Sequence, residues 1–171
     1  AGGIRDPYMA EKMLEDGVAD MICLGRSQLA DPDFANKALF GEADKIRPCL
    51  SCLTCLYSLD DMHCLRCAVN PETGREYDLK IKAEDASGEK MVVLGAGPAG
   101  MEAARTAANR GYKVILCEKQ DHIGGSLVPA STPPGKDDMK KLIKWYENEL
   151  TDLGVDVRLN TEYTKEQDKE I

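Results

Sequence analysis

Apolar positions along the chain fall into two spacings. From Pro7 to Gly17, Met9, Met13 and Leu14, with Val18 just beyond, recur at helical intervals and predict an amphipathic helix. Asp6 is placed to cap it, Pro7 takes the favoured first helical position, and Gly17 ends it. "ADMICLG" (Ala19 to Gly25) is a short unbroken apolar run, which predicts a strand buried on both faces. "DPDFANKALFG" then predicts a second helix, capped by Asp33 or Asp31 and closed by Gly41. Loop, helix, strand and helix in this order read as a βα repeat cut through its middle.

The periodicity disappears between Arg47 and Asn70, as it does where a bound group rather than a core supplies stability. "PETGREYDLKIKAEDASGEK" is polar and rich in Gly and Glu, so residues 73–89 read as a linker. A regular pattern resumes at Lys90. "KMVVL" predicts a strand, "AGMEAARTAANRG" an Ala-rich helix closed by Gly111, and "KVILCEK" a second strand. A long helix follows, with Met139, Leu142, Ile143, Tyr146, Leu150 and Leu153 on one side, and "VDVRLN" predicts a third strand. This β-α-β-α-β order is that of a parallel sheet with crossover helices. Cys23 and Cys117 each fall inside a predicted strand and read as core.

Composition narrows the function classes. The 171 residues are 43% hydrophobic, enough for a core, and carry a net charge of −8. An acidic chain lacks the basic face of a nucleic-acid binder. No apolar run reaches the roughly 18 residues of a membrane helix, and "AGGIRDPYMAEK" is not a secretory signal. The expected setting is therefore the reducing cytoplasm, where clustered cysteines more often bind metal than pair with each other. The loop-like "AGG" opening reads as the interior of a longer protein.

Gly95-Ala96-Gly97-Pro98-Ala99-Gly100 is a G-x-G-x-x-G turn between a predicted strand and a predicted helix. A second strand ends in Glu118, 23 positions after Gly95. That context is the dinucleotide-binding one: glycines for a tight turn and close backbone approach, and a helix N-terminus for the pyrophosphate. Glu118 would accept from the adenosine ribose hydroxyls and disfavour a 2′-phosphate. His122 reads as an exposed loop residue.

Five of the seven cysteines lie within nineteen residues, at 49, 52, 55, 64 and 67. Cys49-x2-Cys52-x2-Cys55 is the tight triplet of cubane iron–sulfur clusters, with the fourth ligand left to Cys64 or Cys67. Cys52-x2-Cys55 and Cys64-x2-Cys67 also make two zinc knuckles, eight residues apart. Spacing alone leaves both open.

"CLSCLTC…CAVNP" followed by a linker and "VVLGAGPAG" resembles the flavin reductases that include 2,4-dienoyl-CoA reductase, trimethylamine dehydrogenase and clostridial enoate reductases. The resemblance implies an α/β organisation in four parts. Residues 1–46 would be the C-terminal fragment of an Old Yellow Enzyme-like (β/α)8 barrel. Residues 47–72 would hold a 4Fe–4S cluster, 73–89 would link, and 90–171 would begin a Rossmann-like FAD domain. It also implies the ligand set Cys49, Cys52, Cys55 and Cys67, with Cys64 a bystander. "HIGGSL" resembles the second glycine segment of such flavoproteins, so FAD would meet Gly95 to Gly100, Glu118, Lys119, Gly124, Gly125, Ser126 and Leu127. Gly2, Gly3, Gly25 and Arg26 resemble the barrel loops that hold an FMN phosphate; a surface ion pair of Arg26 with Asp31 is the alternative.

The activity implied is reduction of an activated C=C bond in a small molecule. Electrons would pass from NADH through FAD and the cluster to FMN. Catalytic residues and the nicotinamide domain would lie outside these 171 residues, so the chain alone is expected to be inactive. A zinc-stapled nucleotide-binding module and a flavoprotein like the small subunit of glutamate synthase are the alternatives. No nucleic acid or membrane partner is expected, and an oligomer is compatible with the sequence.

Overall fold

The computed structural model describes residues 3–79 and 88–163, in two compact units divided between residues 80 and 81. Among the described residues no helix is long and apolar enough to cross a membrane.

The first unit contains helices and turns but, among its described residues, no sheet. Helix α1 (Pro7–Glu15) starts as its sequence dictates, with the Asp6 carboxylate accepting from the Tyr8 N–H at 2.8 Å. It buries none of its residues, and Tyr8 and Met9 are exposed. The run Ala19–Gly25 is irregular, contrary to the strand expected there: Met21 is 83% exposed and Cys23 is exposed instead of lying in a core. A strand buried on both faces exists only through neighbours on each side, and no described segment of this unit pairs with it. Helices α2 (Arg26–Ala30) and α3 (Phe34–Leu39) follow; α2 was not signalled by periodicity, being only five residues long. Neither Asp31 nor Asp33 caps α3 from its side chain to the helix backbone: Asp31 accepts from the Asp33 N–H and Asp33 from the Asn36 side-chain amide, each at 3.0 Å. After a 3₁₀ turn at Ala43–Lys45, helix α4 (Thr54–Asp60) lies inside the stretch that showed no periodicity. Thr73, at the start of the expected linker, is buried, and helix α5 (Glu76–Leu79) lies within that stretch; residues 80–87 of it lie outside the described residues.

The second unit has the alternating order read from the sequence. Strands β1 (Lys90–Leu94), β2 (Lys113–Cys117) and β3 (Asp156–Arg158) form a parallel sheet with β2 central. Val92 stands opposite Ile115 and Leu94 opposite Cys117; on the other side Cys117 stands opposite Arg158. Helix α6 (Pro98–Asn109) joins β1 to β2, and the short α7 (Leu127–Ala130) and long α8 (Asp137–Asp152) lie between β2 and β3. Met101, Leu116 and Leu150 are the largest fully buried side chains, each contributing about 2 kcal/mol through burial. Cys117 is buried as expected.

Helix α8 buries Leu142, Tyr146 and Leu150, and also Trp145, which the apolar spacing had left off its inner face. Trp145 belongs there because Arg105 of α6 is buried against it, the guanidinium 6.0 Å from the ring centroid. Glu102 holds Arg105 in an ion pair at 2.9 Å and accepts from the Tyr146 hydroxyl at 2.9 Å. Burial pulls the Arg105 pKa down. The hydrogen bonds and charge of Glu102, with Glu149 and Tyr146 behind it, outweigh burial and leave the pKa raised.

Candidate functional site

In the first unit the cysteine segment is held at both ends by a buried polar clamp. The Asp31 Oδ2 accepts from the Arg47 N–H at 2.8 Å and from Lys37 Nζ at 2.7 Å. The Arg47 guanidinium, itself buried, donates to the Val69 carbonyl at 2.9 Å. Asn70 Nδ2 and Thr73 Oγ1 both donate to the Leu29 carbonyl, each at 2.9 Å. These bonds tie the entrance and the exit of the segment to α2 and the start of α3. Cys49, two residues past Arg47, and Cys67, two before Val69, are thereby drawn together.

Between them the chain bends sharply. Ser51 (φ 53°) and Leu53 (φ 62°) are left-handed, which costs a non-glycine residue about 1 kcal/mol each. Strain of this kind persists where surrounding structure demands it. It leads into α4, which buries Cys55 in its first turn. Ser58 then donates to the Cys55 carbonyl at 2.9 Å and accepts from the Arg66 N–H at 3.3 Å, folding the return chain back.

Cys49, Cys52, Cys55 and Cys67 line one narrow pocket with Arg26 and Leu29, whereas Cys64 is exposed and outside it. Burial pushes the Cys67 thiol pKa up; the backbone N–H groups of Val69 and Asn70 oppose this, and Cys49 and Cys52 add to it. Among the described residues no three Cys, His, Asp or Glu side chains converge as ligands of a single metal ion. A tetrahedral zinc needs its sulfurs about 2.3 Å from one point. A cubane is held instead at four separate corners by thiolates ringing a cavity, and amide N–H groups aimed at those sulfurs tune it. Four thiols lining one pocket, with the N–H groups of Val69 and Asn70 beside Cys67, are a donor set that both groups use.

A second pocket of the same unit, of about 430 Å3, is lined by Gly3, Gly25 and Arg26 together with Arg5, Cys23 and Cys49. Gly2 lies outside the described residues. Asp31, the alternative partner of Arg26, is engaged by Lys37 and the Arg47 N–H. Sequence reasoning missed Arg5 and Cys23 as lining residues; a basic residue two positions after Gly3 was the available signal for the first.

In the second unit the glycine loop has the steric logic of its sequence. Gly95 turns at φ +90° and donates its N–H to the Cys117 carbonyl at 2.8 Å. A Cβ on Gly100 would lie 1.8 Å from the Gly95 carbonyl oxygen, so no other residue fits there without moving the loop. Pro98 occupies the first turn of α6, where its missing N–H is no loss, and Ala99 is exposed beside it. The helix N-terminus presents free N–H groups and positive dipole to an anion.

The second glycine pair packs on the first. Gly124 donates to the Ala96 carbonyl at 2.8 Å, and a Cβ on Gly125 would sit 2.8 Å from the Gly97 Cα. Glu118 is buried and accepts from the Ala96 N–H at 2.7 Å and from the Gln120 N–H at 2.9 Å. The Gln120 N–H, joined by those of Ala96 and Lys119, holds its pKa below the usual carboxylate value against burial. Ala96 is thus pinned on both sides, by Glu118 and Gly124, a role that sequence spacing did not reveal for Glu118. Lys119 and Ser126 are exposed, Leu127 is half-buried at the start of α7, and His122 is exposed with Nδ1 2.6 Å from the Asp121 carboxylate.

The "FAD dependent oxidoreductase" family model matches residues 90–166. The chain is 48% identical over 172 aligned residues to the cinnamate reductase of Clostridium sporogenes, covering 100% of this chain and 26% of that protein. It is 45% identical over 159 residues to the NADH oxidase of Thermoanaerobacter brockii, covering 92% of this chain and 24% of that one. A solved 2-naphthoyl-CoA reductase superposes with a TM-score of 0.91 at 35% identity, over 98% of this chain and 26% of that one. The chain belongs to this oxidoreductase family. It spans about a quarter of the length of the relatives it matches. In this chain the glycine loop, the second glycine pair and Glu118 all fall within the stretch matched to the FAD-dependent family.

Proposed function

We propose that this chain is the cofactor-relay portion of a multi-cofactor flavin reductase. In this reading Cys49, Cys52, Cys55 and Cys67 hold a 4Fe–4S cluster, and Gly3, Gly25 and Arg26 (with Gly2) hold the phosphate of FMN. Gly95 to Gly100, Gly124, Gly125 and Glu118 hold FAD. When bound, these groups would carry the two electrons of NADH, singly through the cluster, to an electron-poor C=C bond, which takes up two protons with them, one at each carbon. The substrate class is an enoate, an enoyl-CoA or a related unsaturated small molecule. Reductases among the relatives and the structural neighbour, named for cinnamate and 2-naphthoyl-CoA, support that class. The setting is the cytoplasm, and the substrate-binding residues and nicotinamide domain lie in further segments of the protein.

The observation that carries the reading is the convergence of four of the five clustered cysteines on one pocket, with Cys64 outside it. The chain's own part is positional. The Asp31–Arg47–Val69 clamp sets the distance between Cys49 and Cys67, and the N–H groups of Val69 and Asn70 face the Cys67 sulfur. In the other unit, Glu118 and Gly124 hold Ala96 so that the loop keeps its form ahead of the nucleotide. Anaerobic purification of the natural full-length protein tests this. A brown protein with about four iron per chain is expected, losing the iron and its broad absorbance at about 400 nm on Cys67→Ala and keeping both on Cys64→Ala. A protein with one zinc and no iron per chain would overturn the reading.

A further inference from the structure

The thiol pocket and the phosphate pocket of the first unit share a wall. Arg26, Cys49 and Leu53 line both. Leu53 is left-handed at φ 62°, a conformation that glycine would adopt without penalty. The leucine side chain lines both pockets and Leu56 lines the phosphate pocket, each partly open to solvent. Charges a few ångströms apart at a protein surface still interact more strongly than in bulk water. Arg26 is permanently charged and is the basic residue common to both linings.

We infer that Arg26 couples the two pockets: an anion in the phosphate pocket draws on the same guanidinium that offsets negative charge at Cys49. Filling the phosphate pocket therefore makes the group held by the four thiols harder to reduce. The coupling is reciprocal, so reduction at the thiols weakens the hold on the phosphate by the same factor. This rests on the function proposed above, in which the thiols hold a 4Fe–4S cluster and the phosphate belongs to FMN. Reduction here adds one electron and neither makes nor breaks a bond.

The experiment is a reductive titration of the full-length protein with dithionite, followed by electron paramagnetic resonance of the cluster. FMN is first removed and replaced by riboflavin, which lacks the phosphate. The cluster midpoint is expected to fall when inorganic phosphate is added, and to stay put with potassium chloride of equal ionic strength. Reloading with FMN should lower it as phosphate does. Arg26→Gln should lower the midpoint before any phosphate is added and abolish the phosphate effect, while Arg26→Lys should retain most of both. A midpoint indifferent to phosphate in the unmodified protein, or unchanged by Arg26→Gln, overturns the coupling and leaves the proposed function standing. A full-length protein with no iron–sulfur signal removes both.

Discussion

The buried residues of the two units differ in kind. The second unit seals Met101, Leu116 and Leu150 beneath a parallel sheet, and its buried polar residues are Arg105, Glu118 and Ser131. The first unit has no described sheet, and its buried polar residues are Ser27, Asp31, Arg47, Asn70 and Thr73. Four of those five hold the cysteine segment to α2 and α3, and the fifth, Ser27, donates to the Ile4 carbonyl at 2.6 Å. Apolar burial thus orders the nucleotide unit before any ligand arrives. The cysteine unit buries Ile4, Ala30, Phe34, Ile46 and Val69 as well, and adds directional bonds from buried polar residues that hold its cysteine segment in place. A hydrogen bond to a buried charge stabilises only while both partners are present.

The sharpest way to break this contrast is at Asp31. Asp31→Ala would leave the Arg47 and Asp33 N–H groups without their acceptor and Lys37 without its ion partner, although Lys37 keeps its bond to the Lys45 carbonyl. It should cost the first unit about 3 kcal/mol, with loss of bound iron. The second unit should exchange its amide hydrogens as before. Comparable loss of protection in both units would show that the clamp is not local to the first.

The second unit has an equivalent weak point that is steric. Gly100→Ala drives a methyl group into the Gly95 carbonyl and should cost about 3 kcal/mol. Flavin bound per chain should fall and iron content should not. Tyr146→Phe is milder, removing one hydrogen bond to the Glu102 carboxylate for about 1.5 kcal/mol, read from thermal unfolding. If it matches Gly100→Ala in size, polar contacts matter more in the nucleotide unit than its burial pattern implies.

The smallest expected effect is a pH dependence. The folded-state pKa of Glu118 is lowered, so its contribution is fully present above the unfolded value of about 4.3. It is lost as pH falls through the lower folded value. Melting of the second unit should therefore lose stability below about pH 4, and Glu118→Gln should flatten that limb. An acid limb identical in wild type and variant would remove Glu118 from the account.

Much of the second unit was legible because its rules are local. Glycine at Gly95 and Gly100, the apolar run of β2 into Glu118 and the one-sided pattern of α8 each follow from a few neighbouring residues. Trp145 escaped because its partner, Arg105, is forty residues away, and a buried arginine carries no apolar signal. In the first unit the Asp6 cap and the tight cysteine triplet could be read directly. The run Ala19–Gly25 misled because apolar content predicts burial, whereas a strand is defined by a partner that the described residues do not supply.

The sequence by itself determined the nucleotide loop, the Asp6 cap, the β-α-β-α-β order after Lys90 and the crowding of five cysteines into nineteen residues. These depend on backbone sterics and on spacings within one or two turns. Only the tertiary structure decided that Glu118 braces Ala96 and that Asp31 and Arg47 clamp the cysteine segment. It alone also decided that Arg26, Cys49 and Leu53 stand between two pockets. Those contacts join residues sixteen to twenty-seven positions apart. No local pattern encodes them, because they form only when separate elements are packed together.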